Sequence, residues 1–113
     1  MKTETPAHLH DILEAGRAIK AFISGKTFEE YCSDELLRSA VERKFEIMGE
    51  AINRIKRDDP ELLPQLRYNR DIISFRNILV HGYDAIDDRI VWDVIEEDLD
   101  SLIEDVGRLL HQQ

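Results

Sequence analysis

The chain has 113 residues, a mass of 13.2 kDa and a formal charge of −9, with 42 % hydrophobic and 35 % charged side chains. There is room for one core of ordinary size, which a compact chain of this mass would enclose within roughly 6,400 Å² of surface. Five glycines and three prolines exclude a collagen-like or low-complexity chain, and the single cysteine, Cys32, excludes an internal disulfide.

No apolar run approaches the roughly twenty residues of a membrane helix. Met1-Lys2-Thr3-Glu4 opens no apolar signal segment. The expectation is a cytoplasmic protein without a membrane anchor. Charge is uneven: residues 1–82 carry 13 basic and 14 acidic side chains, whereas residues 83–113 carry two and ten. The last segment therefore repels nucleic acid and suits a basic partner.

The periodicity is helical throughout. Thr5 and Pro6 read as an N-cap and first helical residue, and Leu9, Ile12, Leu13, Gly16, Ile19, Phe22 and Ile23 extend a helix over about 6–24. Ser33 reads as the cap of a second helix over 34–57, about 36 Å long, striped by Leu37, Val41, Phe45, Met48, Ile52 and Ile55. Arg54, Lys56 and Arg57 suit its negative end. Asp59-Pro60 predicts a short helical turn, with Pro64 keeping it separate from the third main helix.

That third main helix is predicted over 66–80, stopped by His81-Gly82, with Gly82 suited to a left-handed residue. Asp87 or Asp88 caps the last helix, where Val91, Ile95, Leu99, Leu102, Val106 and Leu109 recur at spacings of 4, 4, 3, 4 and 3. The predicted fold is all-α: an antiparallel up-and-down four-helix bundle with a short extra helix before the third main helix, one domain over 1–113. Apolar surface left on the last two helices suggests a dimer.

The segment Arg76-Asn77-Ile78-Leu79-Val80-His81-Gly82-Tyr83 concentrates chemistry at a helix end. Histidine moves protons near neutral pH, and arginine clamps phosphate through two donors. On RNA the 2′-hydroxyl supplies the nucleophile, so no metal or cofactor is required. Arg76 and His81 are about 140° apart around an ideal helix, and they converge only if the helix ends between them or Arg76 reaches across a groove. Asn77 and His81, four apart, share a face, and the amide can orient the ring. A second proton carrier must come from Tyr83, water or another subunit.

Each residue also has a plain structural reading. Arg76 can pair with Asp71 or Asp84, His81 can cap its helix, and Tyr83 can pack between helix ends. Glu42, Glu46 and Glu50 read as a solvated face beside Arg38, Arg43 and Lys44. His8 and His10 lack further ligands for a metal. No base is indicated for Cys32, and Gly49 suits close helix packing.

Arg76-Asn77-xxx-His81-x-Tyr83 resembles the Arg-x4-His-x-Tyr signature of the HepT-like toxins, within the HEPN group of small helical proteins. The likeness extends to Asp11-Ile12-Leu13, to the segment Val41–Ala51 and to Val91-Trp92. It implies a metal-independent endoribonuclease that acts as a homodimer on cellular RNA, in some members tRNA. It also implies a minimal nucleotidyltransferase antitoxin that can add AMP to the motif tyrosine. By this resemblance Arg76 and His81 are catalytic, Asn77 supports them and Tyr83 is the modified residue. The alternatives are a non-catalytic helical module that binds nucleotide or holds a nucleotidyltransferase partner, and a purely structural dimer.

Overall fold

Pro6 lies in the first turn of α1 (Thr5–Ile23), where its missing N–H costs nothing. The computed structural model describes residues 1–82 and 86–112. Helix α2 is Phe28–Ser33, α3 Glu35–Asp58, α4 Asn69–His81, α5 Asp88–Glu97 and α6 Leu99–His111. Leu63–Gln65 forms a 3-10 turn before the third main helix, where the sequence predicts a short element, but it starts past Pro60 and contains Pro64 instead of ending before it.

The start of α1 lies beside the end of α3, so the two run antiparallel. Thr5 is not the cap: the helix begins at Thr5 itself, and its buried Oγ1 donates to Asp59 Oδ2 at 2.9 Å. The Lys2 backbone N–H donates to the same oxygen at 3.0 Å, and His8 meets Asp58 at 3.3 Å. Asp59 thus ties helix ends together and does not cap the turn at Pro60 with its side chain.

Helix α2 is an element that the hydrophobic spacing does not reveal. Thr27 and Glu30 form a full capping box, each side chain bonded to the other's backbone N–H. Its Tyr31 and Phe28 stack against Trp92 of α5, with ring centroids 5.5 and 6.1 Å away. Asp34, not Ser33, caps α3, because Asp34 accepts from Leu37 N at 3.0 Å while Ser33 Oγ turns back to the carbonyls of Glu29 and Glu30.

The last predicted helix is two. It is interrupted at Asp98, whose φ of −111° departs from the helical mean although its backbone stays in the right-handed region. This lets α5 cover α2 while α6 packs on α1. Gly16 of α1 brings α6 close, since a Cβ there would lie 2.8 Å from Ile103 Cγ1. Helix α3 meets α1 and α4, and α1 and α6 run antiparallel, because Gly16 faces Ile103 while Lys20 pairs with Asp100. The core is continuous from Leu9 and Ile12 through Val41, Phe45 and Ile52 to Leu102 and Val106. The accessible surface, 6544 Å², matches the scaling for a compact monomer. Among the described residues no helix is long and apolar enough to cross a membrane.

The turn into α4 is held firmly. Tyr68 has φ +64°, a left-handed conformation that costs a non-glycine residue about 1–2 kcal/mol. Asn69 Nδ2 donates to the Leu66 and Leu63 carbonyls at 2.7 and 3.2 Å. Arg67 reaches the buried Asp105 of α6 with its backbone N–H, Nε and Nη2, at 2.9–3.1 Å. Gly82 ends α4 without the left-handed turn expected of it: φ is −102°, and its N–H donates to Ile78 O at 2.7 Å, closing an ordinary last turn.

Three carboxylates hold acid sensitivity. Burial alone would raise Asp105, but Arg67 and Arg108 keep it below the usual range. The Lys2 backbone and Thr5 lower Asp59, and Arg57 with His8 holds Asp58 at about 2. A carboxyl lowered on folding stabilises above its unfolded pKa and loses that contribution as it is protonated. Urea midpoints should therefore stay level from about pH 7 to 5 and drop between about pH 4 and 2. Asp105→Ala should cost about 2 kcal/mol at neutral pH, less than a fully buried pair because Arg67 is half exposed, and flatten that acid limb.

Candidate functional site

A cleft of about 440 Å³ opens on α3. Arg43, Glu46, Ile47, Glu50 and Arg54 line it from α3, Asp11 from α1, and Arg76 and Val80 from α4. The α3 residues fall at i, i+3, i+4, i+7 and i+11, one face of the helix. Three arginines and three carboxylates balance to zero.

Arg76 reaches this cleft because α3 carries no side chain opposite it. A Cβ on Gly49 would lie 2.7 Å from Arg76 Cγ, nearer still to its Cβ, and 3.4 Å from the Ile72 carbonyl oxygen. The stem of Arg76 therefore lies against the α3 backbone. Phe45 and Phe75, ring centroids 5.1 Å apart edge to face, seal the contact one turn away.

The guanidinium is fixed at its tip. Nη2 donates to Glu50 Oε2 at 3.0 Å and Nη1 to Asn77 Oδ1 at 3.3 Å. Glu50 also meets Arg54, at 3.7 Å, and Glu46 meets Arg43 at 3.3 Å. Arg76 thus pairs with a carboxylate from another helix and not with Asp71, while Asp84 lies outside the described residues. Glu46 and Glu50, which the sequence assigns to a solvated face, belong to the cleft. Their signal is Gly49 between them, marking where that face is covered.

His81 is exposed in the last turn of α4. Val80 lines the cleft because four residues return nearly to the direction of Arg76, and one further residue swings about 100° away. Asn77 is exposed and turns its oxygen to Arg76. Tyr83 lies outside the described residues.

A second titratable group surrounds α2. Burial, followed by Asp88, raises the Cys32 thiol and the Glu42 carboxyl. Burial and Glu42 likewise raise Tyr31, whose hydroxyl is buried without a partner among the described residues. Cys32 is thus kept protonated, and its carbonyl accepts from Arg38, which suits structure better than nucleophilic attack. Among the described residues no three His, Cys, Asp or Glu side chains gather to hold a metal ion.

Comparison with known proteins identifies the class to which this helical scaffold and arginine cleft belong. The sequence matches the family described as Ribonuclease HepT-like over residues 12–109. It is 35 % identical over 102 residues to a candidate ribonuclease HepT of Thermococcus cleftensis, covering 90 % of this chain and 92 % of that one. A candidate RNase of Methanocaldococcus jannaschii is 32 % identical over 105 residues, covering 93 % and 95 %. A candidate RNase of Caldanaerobacter subterraneus is 28 % identical over 113 residues, covering 100 % and 99 %. No solved structure matches. The chain belongs to the HepT-like ribonuclease family.

Gly49→Ala should force α4 away from α3 and cost about 1–3 kcal/mol, the usual range for overpacking a close contact. Thermal unfolding would show the loss, and a structure of the variant would show Arg76 displaced from Glu50.

Proposed function

We propose that this protein is a metal-independent endoribonuclease toxin of a toxin–antitoxin pair, a single HepT-like domain over 1–113 acting in the cytoplasm on RNA, with tRNA among the substrates. The observation that carries the reading is Arg76, anchored by Glu50 and Asn77 at the wall of an open cleft, on the same helix as His81 and little more than a turn away from it.

Arg76 binds the scissile phosphate and stabilises the charge that builds on its oxygens. His81 takes the proton of the adjacent 2′-hydroxyl. The 2′-oxygen then bonds to phosphorus as the bond to the 5′-oxygen breaks, leaving a 2′,3′-cyclic phosphate. The 5′-oxygen must receive a proton, which His81 in its protonated state or a second histidine provides.

The position of His81 favours a homodimer. Within one chain it stands about 140° around α4 from Arg76, so a second copy is the natural source of the group that completes each site. Ile78 and Ile90, large apolar residues exposed by 45 % and 52 %, offer surface for that pairing. In the same reading a minimal nucleotidyltransferase antitoxin silences the enzyme by adding AMP to Tyr83. The added phosphate would compete for Arg76 and block the cleft.

His81→Ala should lower cleavage of bulk tRNA in a chelator by about 10²–10⁴-fold, with helicity unchanged by circular dichroism. A variant as fast as the parent would leave the non-catalytic binding module as the better account. Protein produced together with the nucleotidyltransferase should gain mass in AMP steps that map to Tyr83 and disappear in Tyr83→Phe; an unmodified mass would remove the proposed silencing.

A further inference from the structure

Among the described residues, Glu50 is the one cleft carboxylate that touches two arginines. It accepts from Arg76 Nη2 at 3.0 Å, and its other oxygen lies 3.7 Å from Arg54 Nε. Arg76 Nε is buried without a partner among the described residues, so Glu50 and Asn77 set the plane of the guanidinium from its tip. Each Nη carries two hydrogens. With one given to Glu50 and one to Asn77, a hydrogen on each remains for an incoming oxygen.

A carboxylate beside a phosphate-binding arginine would ordinarily repel the phosphate. Here Arg54 offsets it: the Arg54–Glu50–Arg76 row carries +1, and with Arg43, Glu46 and Asp11 the cleft as a whole is neutral. Arg76 is only a quarter exposed, and its stem is confined against Gly49. The guanidinium can therefore move chiefly by swinging its tip, the motion that the Glu50 bond opposes.

Resting on the ribonuclease reading above, we propose that Glu50 is a positioning residue that holds the Arg76 guanidinium aimed at the scissile phosphate through the chemical step, and is not displaced by substrate. Glu50 does not touch the reacting atoms. It limits the orientations of Arg76, so that the donors are in place when charge develops on the phosphate. Its amide analogue can accept the same hydrogen bond from Nη2, and this separates positioning from a need for negative charge.

The test compares the intact protein with Glu50→Ala and Glu50→Gln, using bulk tRNA as substrate and His81→Ala as the inactive control. Glu50→Ala should lower kcat by about 10–100-fold, the loss of one hydrogen bond to a charged group, with KM within about threefold of the parent. Glu50→Gln should restore kcat to within about fivefold. Nitrogen NMR at low temperature gives a readout independent of cleavage. The Arg76 Nη signals should be separate in the parent and Glu50→Gln and merged in Glu50→Ala, where rotation is freed.

An unchanged kcat in Glu50→Ala, or a lower KM with a higher kcat, would overturn the proposal, the latter by making Glu50 a competitor of phosphate. Equal Arg76 signals in parent and Glu50→Ala would overturn it too. If the parent leaves tRNA intact, the ribonuclease reading fails by itself, and the NMR comparison decides whether Glu50 holds Arg76.

Discussion

The approach of α4 to α3 at Gly49 governs everything built on this face of the molecule. Arg76 must cross from one helix to a carboxylate on the next, and its stem is too bulky to do so over a second side chain. Gly49 removes that side chain. A glycine inside a helix costs about 1 kcal/mol relative to alanine. The cost is offset where the backbones meet, because Arg76 gains a charged partner and a confined stem, and Phe45 and Phe75 close the seam below. The stripe that buries α3 in the core and the row that forms the cleft are opposite consequences of one helical period.

Two clasps fix the helices that this contact brings together. Asp59 ties the start of α1 to the end of α3, and Asp105 ties the turn before α4 to α6. Both carboxylates are buried and satisfied by several donors, which makes burial of charge tolerable. Next to the second clasp, Tyr68 adopts its left-handed conformation at the entry to α4. The acidic C-terminal segment thus has an internal duty: although most of its charges face solvent, Asp105 is committed to the geometry of α4.

Much of the fold can be read from the sequence because its signals are local. The stripes of α1, α3 and α6 repeat at helical spacing, and Pro6 marks the first start. Helix α2 escapes a reading by period although Thr27 and Glu30 spell a capping box, because six residues are too few to show a repeat. The break at Asp98 has no glycine or proline to announce it; it shows only in the folded chain, where α5 covers α2 and α6 packs on α1. For the site, Arg76 and His81 stand out by residue type and neighbourhood. Glu50 does not by itself, since an acidic residue at four-residue spacing looks the same whether it faces water or an arginine from another helix, and only the neighbouring Gly49 marks its face as covered. The angle between Arg76 and His81 is calculable from their spacing alone, and the structure keeps His81 in the last regular turn of α4.

The bare backbone at position 49 has a genetic side. Every amino acid reachable from a glycine codon by one base change carries a Cβ: alanine, serine, cysteine, valine, aspartate, glutamate, arginine or tryptophan. All would intrude on the same carbon atoms of the facing arginine. A population under pressure to lose this activity therefore has at that codon a broad target, whereas most solvent-facing codons in the same helix would absorb the same errors silently.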